Sequence, residues 1–165
     1  MKKLLFILLV APLFCYSQTE KEKADQLLTA WHKAAAIAKY DAYFSLMTAD
    51  AIFIGTDPTE NWDVDEFKAF AKPYFDRGRA WNFTAVERNI FLSEDGRFAW
   101  FDELLDTPNM KLCRGSGVLK KVGSDWKIMH YVLSMTVPND NTDAVVKAKS
   151  AFDDALLTKI KDDKK

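Results

Sequence analysis

Residues 99–106, AWFDELLD, carry the strongest constraint on how this chain folds, because two adjacent carboxylates, Asp102 and Glu103, interrupt an apolar segment. Successive side chains of a β-strand point to opposite faces, so one of the two acids must face whatever the strand packs against. A buried carboxylate is costly unless it is paired, hydrogen-bonded or neutralised. The inward acid is therefore either a working acid or base, or a structural anchor.

The second half of the sequence has the alternating pattern of a β-sheet. Four long strands are predicted, separated by the short turns SEDG, TPNMK and GSD, at residues 81–92, 97–106, 112–122 and 126–137. A briefer strand is predicted earlier, at residues 51–55. Long strands with short connections indicate an antiparallel meander.

Helices are predicted in the first half of the chain. Apolar residues at helical spacing, with a capping box of Thr19 and Glu22, predict a first helix over residues 19–39. Asp41 is the predicted N-cap of a short second helix that ends near Asp50. Helices followed by a long antiparallel sheet predict an α+β domain, in which the early helices cover one face of the sheet.

The third helix has the clearest boundaries in the sequence. Asp63 is its predicted N-cap and Glu66 the reciprocal partner, while Trp62 and Phe67 are spaced as a hydrophobic staple. Gly78 is placed to end the helix. A last amphipathic helix is predicted after the polar segment PNDNTD, with a charged C-terminal end that frays.

Residues 1–17 have the layout of a secretory signal peptide, with a basic start, an apolar run over residues 4–14 and a small or polar end. The run is too short for a permanent membrane span. Cleavage after Ser17 is predicted, so the mature protein is periplasmic or secreted and touches a membrane only through the removed segment. Cys15 leaves lipidation open as an alternative, although Phe14 before it is bulkier than expected at such a site.

Removal of that segment leaves about 150 residues, the size of one domain, predicted at residues 18–138 with a C-terminal helix and charged tail at residues 139–165. The mature chain is slightly acidic, which argues against nucleic-acid binding. Cys113 is then the single cysteine, so no internal disulfide is expected. Two histidines without ligand-like spacing predict no metal site, and no cofactor is expected.

The segment AWHKAAAIAKYDAYFSLMTADAIFIGTDPTENWDVDEFKAF, with WFDELLD, CRGSGVL and DWKIMHYVLS, resembles the SnoaL-like branch of the nuclear transport factor 2-like superfamily. The resemblance extends over about residues 24–139. It implies a cone-shaped α+β fold, in which N-terminal helices pack on a curved antiparallel sheet and enclose a cavity. It does not imply a reaction, because the superfamily contains isomerases, dehydratases, cyclases, epoxide hydrolases and non-enzymatic binders.

The turns predict which side chains meet inside the cone. The TPNMK turn places Glu103 opposite Gly115 and Phe101 opposite Gly117, and the GSD turn places Gly117 opposite His130. The predicted inner face consists of Ala99, Phe101, Glu103, Cys113, Gly115, Gly117, Ile128, His130, Val132 and Ser134. This mostly apolar face with two glycines and a few polar groups is typical of a ligand cavity.

Glu103 facing His130 is the predicted catalytic pair, with the acid orienting the histidine as a general acid and base. A satisfied core histidine is the simpler alternative for His130, and His32 is predicted to be solvated. Asp57 is a third catalytic candidate near the cavity mouth, although a turn before Pro58 explains it more simply. The predicted ligand contacts are Trp31, Tyr43, Phe101, Gly117, Val132 and Ser134.

The outer face of the predicted sheet carries Phe98, Trp100, Asp102, Leu104, Arg114, Ser116, Val118, Met129, Tyr131 and Leu133. It is too apolar to be left in water, so a homodimer through this convex face is predicted. Asp102 and Arg114 are interpreted as a structural ion pair near that interface. A one-residue error in register would instead exchange Glu103 for Asp102 and turn Arg114 inward, which makes these two the alternative site.

The superfamily's ketosteroid isomerases use a carboxylate base and acidic hydrogen-bond donors around an oxyanion. The resemblance places Trp31, Gly55 and Gly117 at the corresponding positions, so this reaction is not expected. Two interpretations stay open. One is a cofactor-free isomerase, dehydratase or cyclase acting on a small, largely apolar substrate. The other is a non-catalytic small-molecule-binding or dimeric structural protein.

Overall fold

The computed structural model describes residues 18–164, so the predicted signal peptide lies outside the described residues. The elements, in chain order, are α1 (Glu20–Ala36), α2 (Tyr40–Ser45), β1 (Met47–Ile54), β2 (Asn61–Asp63), α3 (Val64–Asp76), β3 (Thr84–Leu92), β4 (Phe98–Thr107), β5 (Lys111–Val122), β6 (Asp125–Met135), a 3-10 turn (Asn139–Asn141) and α4 (Thr142–Asp162). The six strands form one sheet in the order β2-β1-β6-β5-β4-β3.

The predicted meander is confirmed, because β3, β4, β5 and β6 pair consecutively and antiparallel. The sheet also contains one parallel pair that the sequence did not predict, since β1 lies beside β6 and carries β2 on its outer edge. The helices α1 and α3 cover the concave face, and their buried apolar side chains form the core with the inner face of the sheet. The class is α+β, as predicted.

Several predicted boundaries differ from the observed ones. The capping box of Thr19 and Glu22 is confirmed, with Thr19 N–H donating to Glu22 Oε2 at 2.8 Å. The helix α1 ends before the predicted end at Lys39, because Ala38 adopts a positive φ of 52°. The helix α2 stops at Ser45, well before Asp50, since the chain already extends into β1.

The boundaries of α3 are those that the sequence predicted. Asp63 Oδ1 accepts a hydrogen bond from Glu66 N–H at 2.9 Å, and Glu66 Oε2 accepts one from Asp63 N–H at 3.1 Å. The rings of Trp62 and Phe67 stack with their centroids 5.8 Å apart, as a hydrophobic staple requires. Gly78, with φ of 70°, follows the last turn of the helix.

Aromatic rings fill the deep part of the cone. Trp31 stacks on Tyr43 with centroids 4.7 Å apart, and it meets Tyr131 edge-on at the same centroid distance. Phe53 stacks on Phe67 at 4.0 Å. Packed rings of this kind leave little room for a ligand. Trp31 and Tyr43, predicted as ligand contacts, are therefore core residues.

The helix α4 lies apart from this core. No residue of α4 is buried, and the side chains of Leu156, Leu157 and Ile160 border a shallow pocket beside residues 54–58. The helix continues to Asp162, beyond the point at which its charged end was predicted to fray. Within residues 18–164, no helix is both long and apolar enough to cross a membrane.

Loss of the α3 N-cap should destabilise the fold measurably. The Asp63→Ala variant removes the oxygen that accepts the Asp65 and Glu66 N–H groups, so its free energy of unfolding should fall by about 1 kcal/mol in urea denaturation. Asp63→Asn keeps an accepting oxygen and should lose much less. Equal losses in the two variants would contradict a capping role.

Candidate functional site

The strand register decides which side chains reach the inside of the cone. Between β4 and β5 the register is as predicted, with Glu103 opposite Gly115. Between β5 and β6 the prediction is wrong by one residue, because Gly117 lies opposite Tyr131 and not opposite His130. His130 therefore does not face Glu103, and the predicted catalytic pair is not formed.

A β-bulge causes this shift. The β5–β6 register changes between Val118 and Leu119, where β6 contains one extra residue, and such a slip moves the following side chains to the other face. The predicted inner-face residues that turn outward are His130, Val132 and Ser134. The residues that replace them inside, both predicted for the outer face, are Tyr131 and Leu133.

Glu103 is buried inside the cone and pairs with His32 instead. His32 lies on α1 and is only 4% exposed, so its predicted solvation is wrong. Its Nε2 donates to Glu103 Oε1 at 2.7 Å, and the Tyr131 hydroxyl donates to the same oxygen at 2.9 Å. Three elements, α1, β4 and β6, thus meet at one carboxylate oxygen.

Arg88 on β3 binds the second carboxylate oxygen. Its Nε donates to Glu103 Oε2 at 2.8 Å, and its Nη2 lies 2.8 Å from the same oxygen. Its Nη1 donates to Asp25 Oδ1 at 2.7 Å and to Thr29 Oγ1 at 3.0 Å, both on α1. We call Glu103, His32, Tyr131 and Arg88 the buried polar network.

The electrostatics of the network fix its protonation. Burial raises the pKa of Glu103, but the hydrogen bond and charge of His32 and the guanidinium of Arg88 outweigh it, so the pKa lies below the ordinary value for glutamate. Burial, reinforced by the charge of Glu103, holds the pKa of Tyr131 well above that of a free phenol. At neutral pH Glu103 is therefore a carboxylate and Tyr131 a hydrogen-bond donor.

The two glycines of β5 make room for protein side chains rather than for a ligand. A methyl group at Gly115 would overlap the Tyr131 hydroxyl and approach Glu103 Oε1. A methyl group at Gly117 would overlap the His130 carbonyl oxygen and touch the Phe101 ring. Gly117 and the buried Phe101, both predicted as ligand contacts, are thus packing residues.

A pocket of about 410 Å³ lies between α3, the loop after β1 and the β4–β5 turn. Most of its wall is aromatic, from Phe53, Trp62, Phe67, Phe70, Tyr74, Trp81 and Phe83. Its polar side chains are Thr56, Glu60, Asn82 and Asn109. A concave, mostly apolar pocket with a few polar groups is typical of small-molecule binding. We call it the aromatic pocket.

Two rings separate the aromatic pocket from the buried polar network. Phe53 lines the pocket and stacks on Tyr131 with centroids 5.5 Å apart. Phe83 also lines the pocket and meets the His32 ring at 6.0 Å. No residue of the network lines the pocket. A ligand in the pocket would therefore contact the aromatic wall and not Glu103.

His32 borders a second, open groove of about 600 Å³ between α1 and β3. Its Nδ1 is buried and has no hydrogen-bond partner within residues 18–164. A carboxylate bound to Nε2 leaves Nδ1 as the nitrogen that can accept a proton. The pair thus has the arrangement of an acid–base dyad, but His32 borders this groove and not the aromatic pocket, and its Nδ1 is buried.

Asp57 lies outside the aromatic pocket. Its Oδ1 accepts hydrogen bonds from Thr59 N–H at 2.9 Å and from the Thr59 hydroxyl at 2.5 Å, which is the turn that the sequence favoured. The hydrogen bonds from Thr59 lower the pKa of Asp57, which makes it a weak base. Asp57 is thus next to the aromatic pocket, since Thr56 and Glu60 line it, but Asp57 is not part of its wall.

Asp102 and Arg114 share the outer face but do not pair. Asp102 lies opposite Ser116 and accepts a hydrogen bond from Asn89 Nδ2 at 3.1 Å. Arg114 is exposed and forms no ion pair within the part of the chain that the structure describes. The predicted ion pair is thus absent there, and the alternative register with Asp102 inside is wrong.

The described residues contain no group of three His, Cys, Asp or Glu side chains that could hold a metal ion. Cys113 is free and buried on the inner face of β5. The buried polar network contributes polar side chains to the interior, and those of the aromatic pocket are Thr56, Glu60, Asn82, Asn109 and the phenol of Tyr74.

The sequence analysis predicted neither the inward positions of His32 and Arg88 nor the aromatic pocket. Signals for the two network residues were nevertheless present. His32 follows Leu28 by four residues and precedes Ala35 by three, so it lies on the buried stripe of α1. Arg88 and the inward-pointing Ile90 are two residues apart on β3, so both side chains point to the same face. The aromatic pocket was harder to foresee, because its wall comes from separate parts of the chain.

Helices packed on the concave face of a curved six-stranded sheet, with a pocket between helix and sheet, define a cone-shaped protein of the nuclear transport factor 2-like class. The SnoaL-like domain family matches residues 24–138, and the chain belongs to this family. No curated protein is significantly similar to the chain in sequence.

Solved structures share the fold at low sequence identity. A nuclear transport factor 2-like protein of unknown function from Pseudomonas putida KT2440 matches with a TM-score of 0.60 and 11% identity over 76% of this chain and 94% of its own. A candidate dehydratase from Streptomyces avermitilis matches with a TM-score of 0.60 and 13% identity, over 71% of this chain and 96% of its own. A candidate scytalone dehydratase from Novosphingobium aromaticivorans matches with a TM-score of 0.59 and 13% identity, over 72% of this chain and 85% of its own. These similarities show the fold alone.

The buried polar network should make stability depend on pH through Glu103. Because its pKa is lower in the folded protein than in the unfolded chain, ionised Glu103 stabilises the fold above about pH 4.5, and this contribution is lost as the pH falls toward the folded-state pKa. The Glu103→Gln variant should therefore lose less free energy of unfolding than the wild type between about pH 6 and about pH 3 in urea denaturation.

Asp102→Asn is the matched control, because Asp102 is the adjacent carboxylate on the opposite face of β4. This variant should keep the pH dependence of the wild type. If the free energy of unfolding of Glu103→Gln changes with pH as much as that of the wild type, the pairing of Glu103 with His32 and Arg88 is contradicted.

Proposed function

We propose that this protein binds a small, largely apolar ligand that contains a ring in the aromatic pocket. The observation that carries the proposal is the aromatic wall around a pocket of about 410 Å³ that is closed off from the buried polar network. Aromatic side chains supply large apolar contact area and prefer stacked or edge-on contact with other rings. The polar side chains at the rim would orient the ligand.

A cofactor-free isomerase or dehydratase is the second candidate, and the hydrogen bond between His32 and Glu103 favours it. A histidine held by a carboxylate can move a proton beside a carbonyl or hydroxyl group. The candidate dehydratases among the solved structures share the fold, which is compatible with this reaction. Binding is better supported, because neither member of the pair lines the aromatic pocket.

We also propose that the mature protein is exported to the periplasm or secreted. The support is the sequence pattern of residues 1–17, with a basic start, an apolar run and a small or polar end. An extracellular or periplasmic binder would meet its ligand without the ligand entering the cytoplasm. The N-terminus of the mature chain, determined by mass spectrometry after expression with the leader, would be Gln18.

A larger side chain in the aromatic pocket should weaken ligand binding and leave the buried polar network unchanged. Ala80 lines the pocket, so Ala80→Phe would occupy ligand space. The dissociation constant of the neutral fluorescent probe N-phenyl-1-naphthylamine should rise at least about tenfold, measured by fluorescence titration. Ala148→Phe makes the same change on the exposed α4 and should bind as the wild type does. Equal binding by both variants would contradict the proposed site.

We further propose a homodimer through the convex face of the sheet. The rings of Phe91 and Trp100 stack there at 5.8 Å, and Trp100 is 50% exposed. In a two-fold contact the same patch serves both subunits, so the exposed Arg114 of one copy could meet Asp102 of the other. Apolar surface of this kind favours association.

A charge in the middle of this face should separate the subunits. Trp100→Glu is expected to sediment as a monomer at micromolar concentration, where the wild type sediments as a dimer. Phe152→Glu is the control, because Phe152 is 80% exposed and belongs to α4 rather than to the strands of the convex face, and its variant should remain dimeric. A monomeric wild type would contradict the dimer, and loss of the dimer in Phe152→Glu would move the interface to α4.

A further inference from the structure

We propose that the aromatic pocket selects organic cations, namely an ammonium-type centre attached to an apolar ring, and that Glu60 is the residue that makes this selection. The inference rests on the proposed function, since it assumes that the pocket binds a small ligand containing a ring. It adds the charge of the ligand and the residue that recognises it.

Glu60 is held in position at the pocket wall by its own loop. Its backbone carbonyl accepts a hydrogen bond from Gly55 N–H at 2.9 Å, and its N–H donates to Asp57 O at 3.0 Å. Its Oε2 accepts from Asp57 N–H at 3.1 Å and lies where a side chain at Gly55 would stand. The carboxylate is thus preorganised over Gly55, which reduces the entropy lost when a ligand binds.

The second oxygen of this carboxylate is available. Oε1 of Glu60 makes no hydrogen bond or ion pair within residues 18–164, while the residue itself is half-buried. A half-buried carboxylate with an open oxygen gains from a cationic or hydrogen-bond-donating partner. Because Glu60 lines the aromatic pocket, a ligand bound there can supply this partner.

The charge of the pocket wall points to the same ligand. Among the described residues that line the pocket there is no Lys, Arg or His, and Glu60 is the one carboxylate. An anionic ligand would bring a second negative charge next to Glu60, and a neutral ligand would cover the carboxylate without pairing it. A cation pairs it, so the pocket should discriminate in favour of positive charge.

The aromatic wall reinforces this selection. The faces of Trp and Tyr rings attract cations, and aromatic pockets are used to bind quaternary ammonium groups. At the rim the guanidinium of Arg77 already lies over the ring of Tyr74, at 4.9 Å from its centroid. Arg77 is exposed to solvent and is not part of the wall, so its charge is screened.

The test compares three ligands that share one ring but differ in charge: benzyltrimethylammonium, its neutral carbon isostere neopentylbenzene, and the anion phenylmethanesulfonate. Trp62 and Trp81 line the pocket, so binding to the full mature chain can be followed by tryptophan fluorescence at low ionic strength. The wild type should bind the cation at least about tenfold more tightly than the neutral isostere, and the anion most weakly.

Two variants test whether Glu60 causes the preference. Glu60→Gln removes the charge, and Gly55→Ala puts a methyl group in the space of the carboxylate, so both should bring the ratio of cation to neutral affinity toward one. Glu87→Gln neutralises an exposed glutamate on β3 outside the pocket and should keep the wild-type ratio.

Equal affinity of the wild type for the cation and the neutral isostere would overturn the proposal while leaving the pocket as a binding site. A preference that survives in Glu60→Gln would also overturn it. If neither these ligands nor N-phenyl-1-naphthylamine binds the wild type, the proposed function itself fails and the selection fails with it.

Discussion

The buried carboxylate of Glu103 is the constraint from which the arrangement of the interior follows. A charged group that is only 1% exposed must be matched by partners from other elements. These partners are His32 from α1, Tyr131 from β6 and Arg88 from β3, all within hydrogen-bond distance. Each element must therefore approach β4 at one place, which fixes the position of α1 on the sheet. Gly115 completes the arrangement, because a side chain there would displace the Tyr131 hydroxyl.

The same constraint separates polar chemistry from ligand space. Tyr131 turns its hydroxyl to Glu103 and its ring to Phe53, and Phe53 lines the aromatic pocket with its remaining surface. An aromatic layer of this kind excludes water, so it strengthens the charge pairing within the buried polar network. It also keeps a ligand out of hydrogen-bond reach of Glu103. Internal stabilisation thus rests on Glu103, whereas the proposed ligand recognition rests on a different acid, Glu60.

The sequence predicted the fold better than the site, and particular residues explain the difference. The capping box at Asp63 and the meander turns are local signals, and both appear in the structure as predicted. The bulge in β6, opposite Val118 and Leu119 of β5, has no comparable local signal. It depends on how β6 pairs with β1 as well as with β5. This single extra residue exchanged His130 for Tyr131 on the inner face. His32 was within reach of prediction, because its helical spacing matches the buried stripe of α1.

The turn after β1 determines how the Glu60 carboxylate is presented to the aromatic pocket. Gly55 stands where the resemblance to ketosteroid isomerases places the base, and the Glu60 carboxylate lies over it from the far side of the turn. Asp57, the third catalytic candidate from the sequence, is bound within the turn and donates its N–H to Glu60. A base that removes a proton beside a carbonyl needs a donor that stabilises the developing oxyanion. The described pocket wall offers the amides of Asn82 and Asn109 and the phenol of Tyr74 but no second carboxyl group. The protonated carboxylic acid that such isomerases use as a donor is therefore lacking in this wall, which agrees with the proposed pairing of Glu60 with a cation.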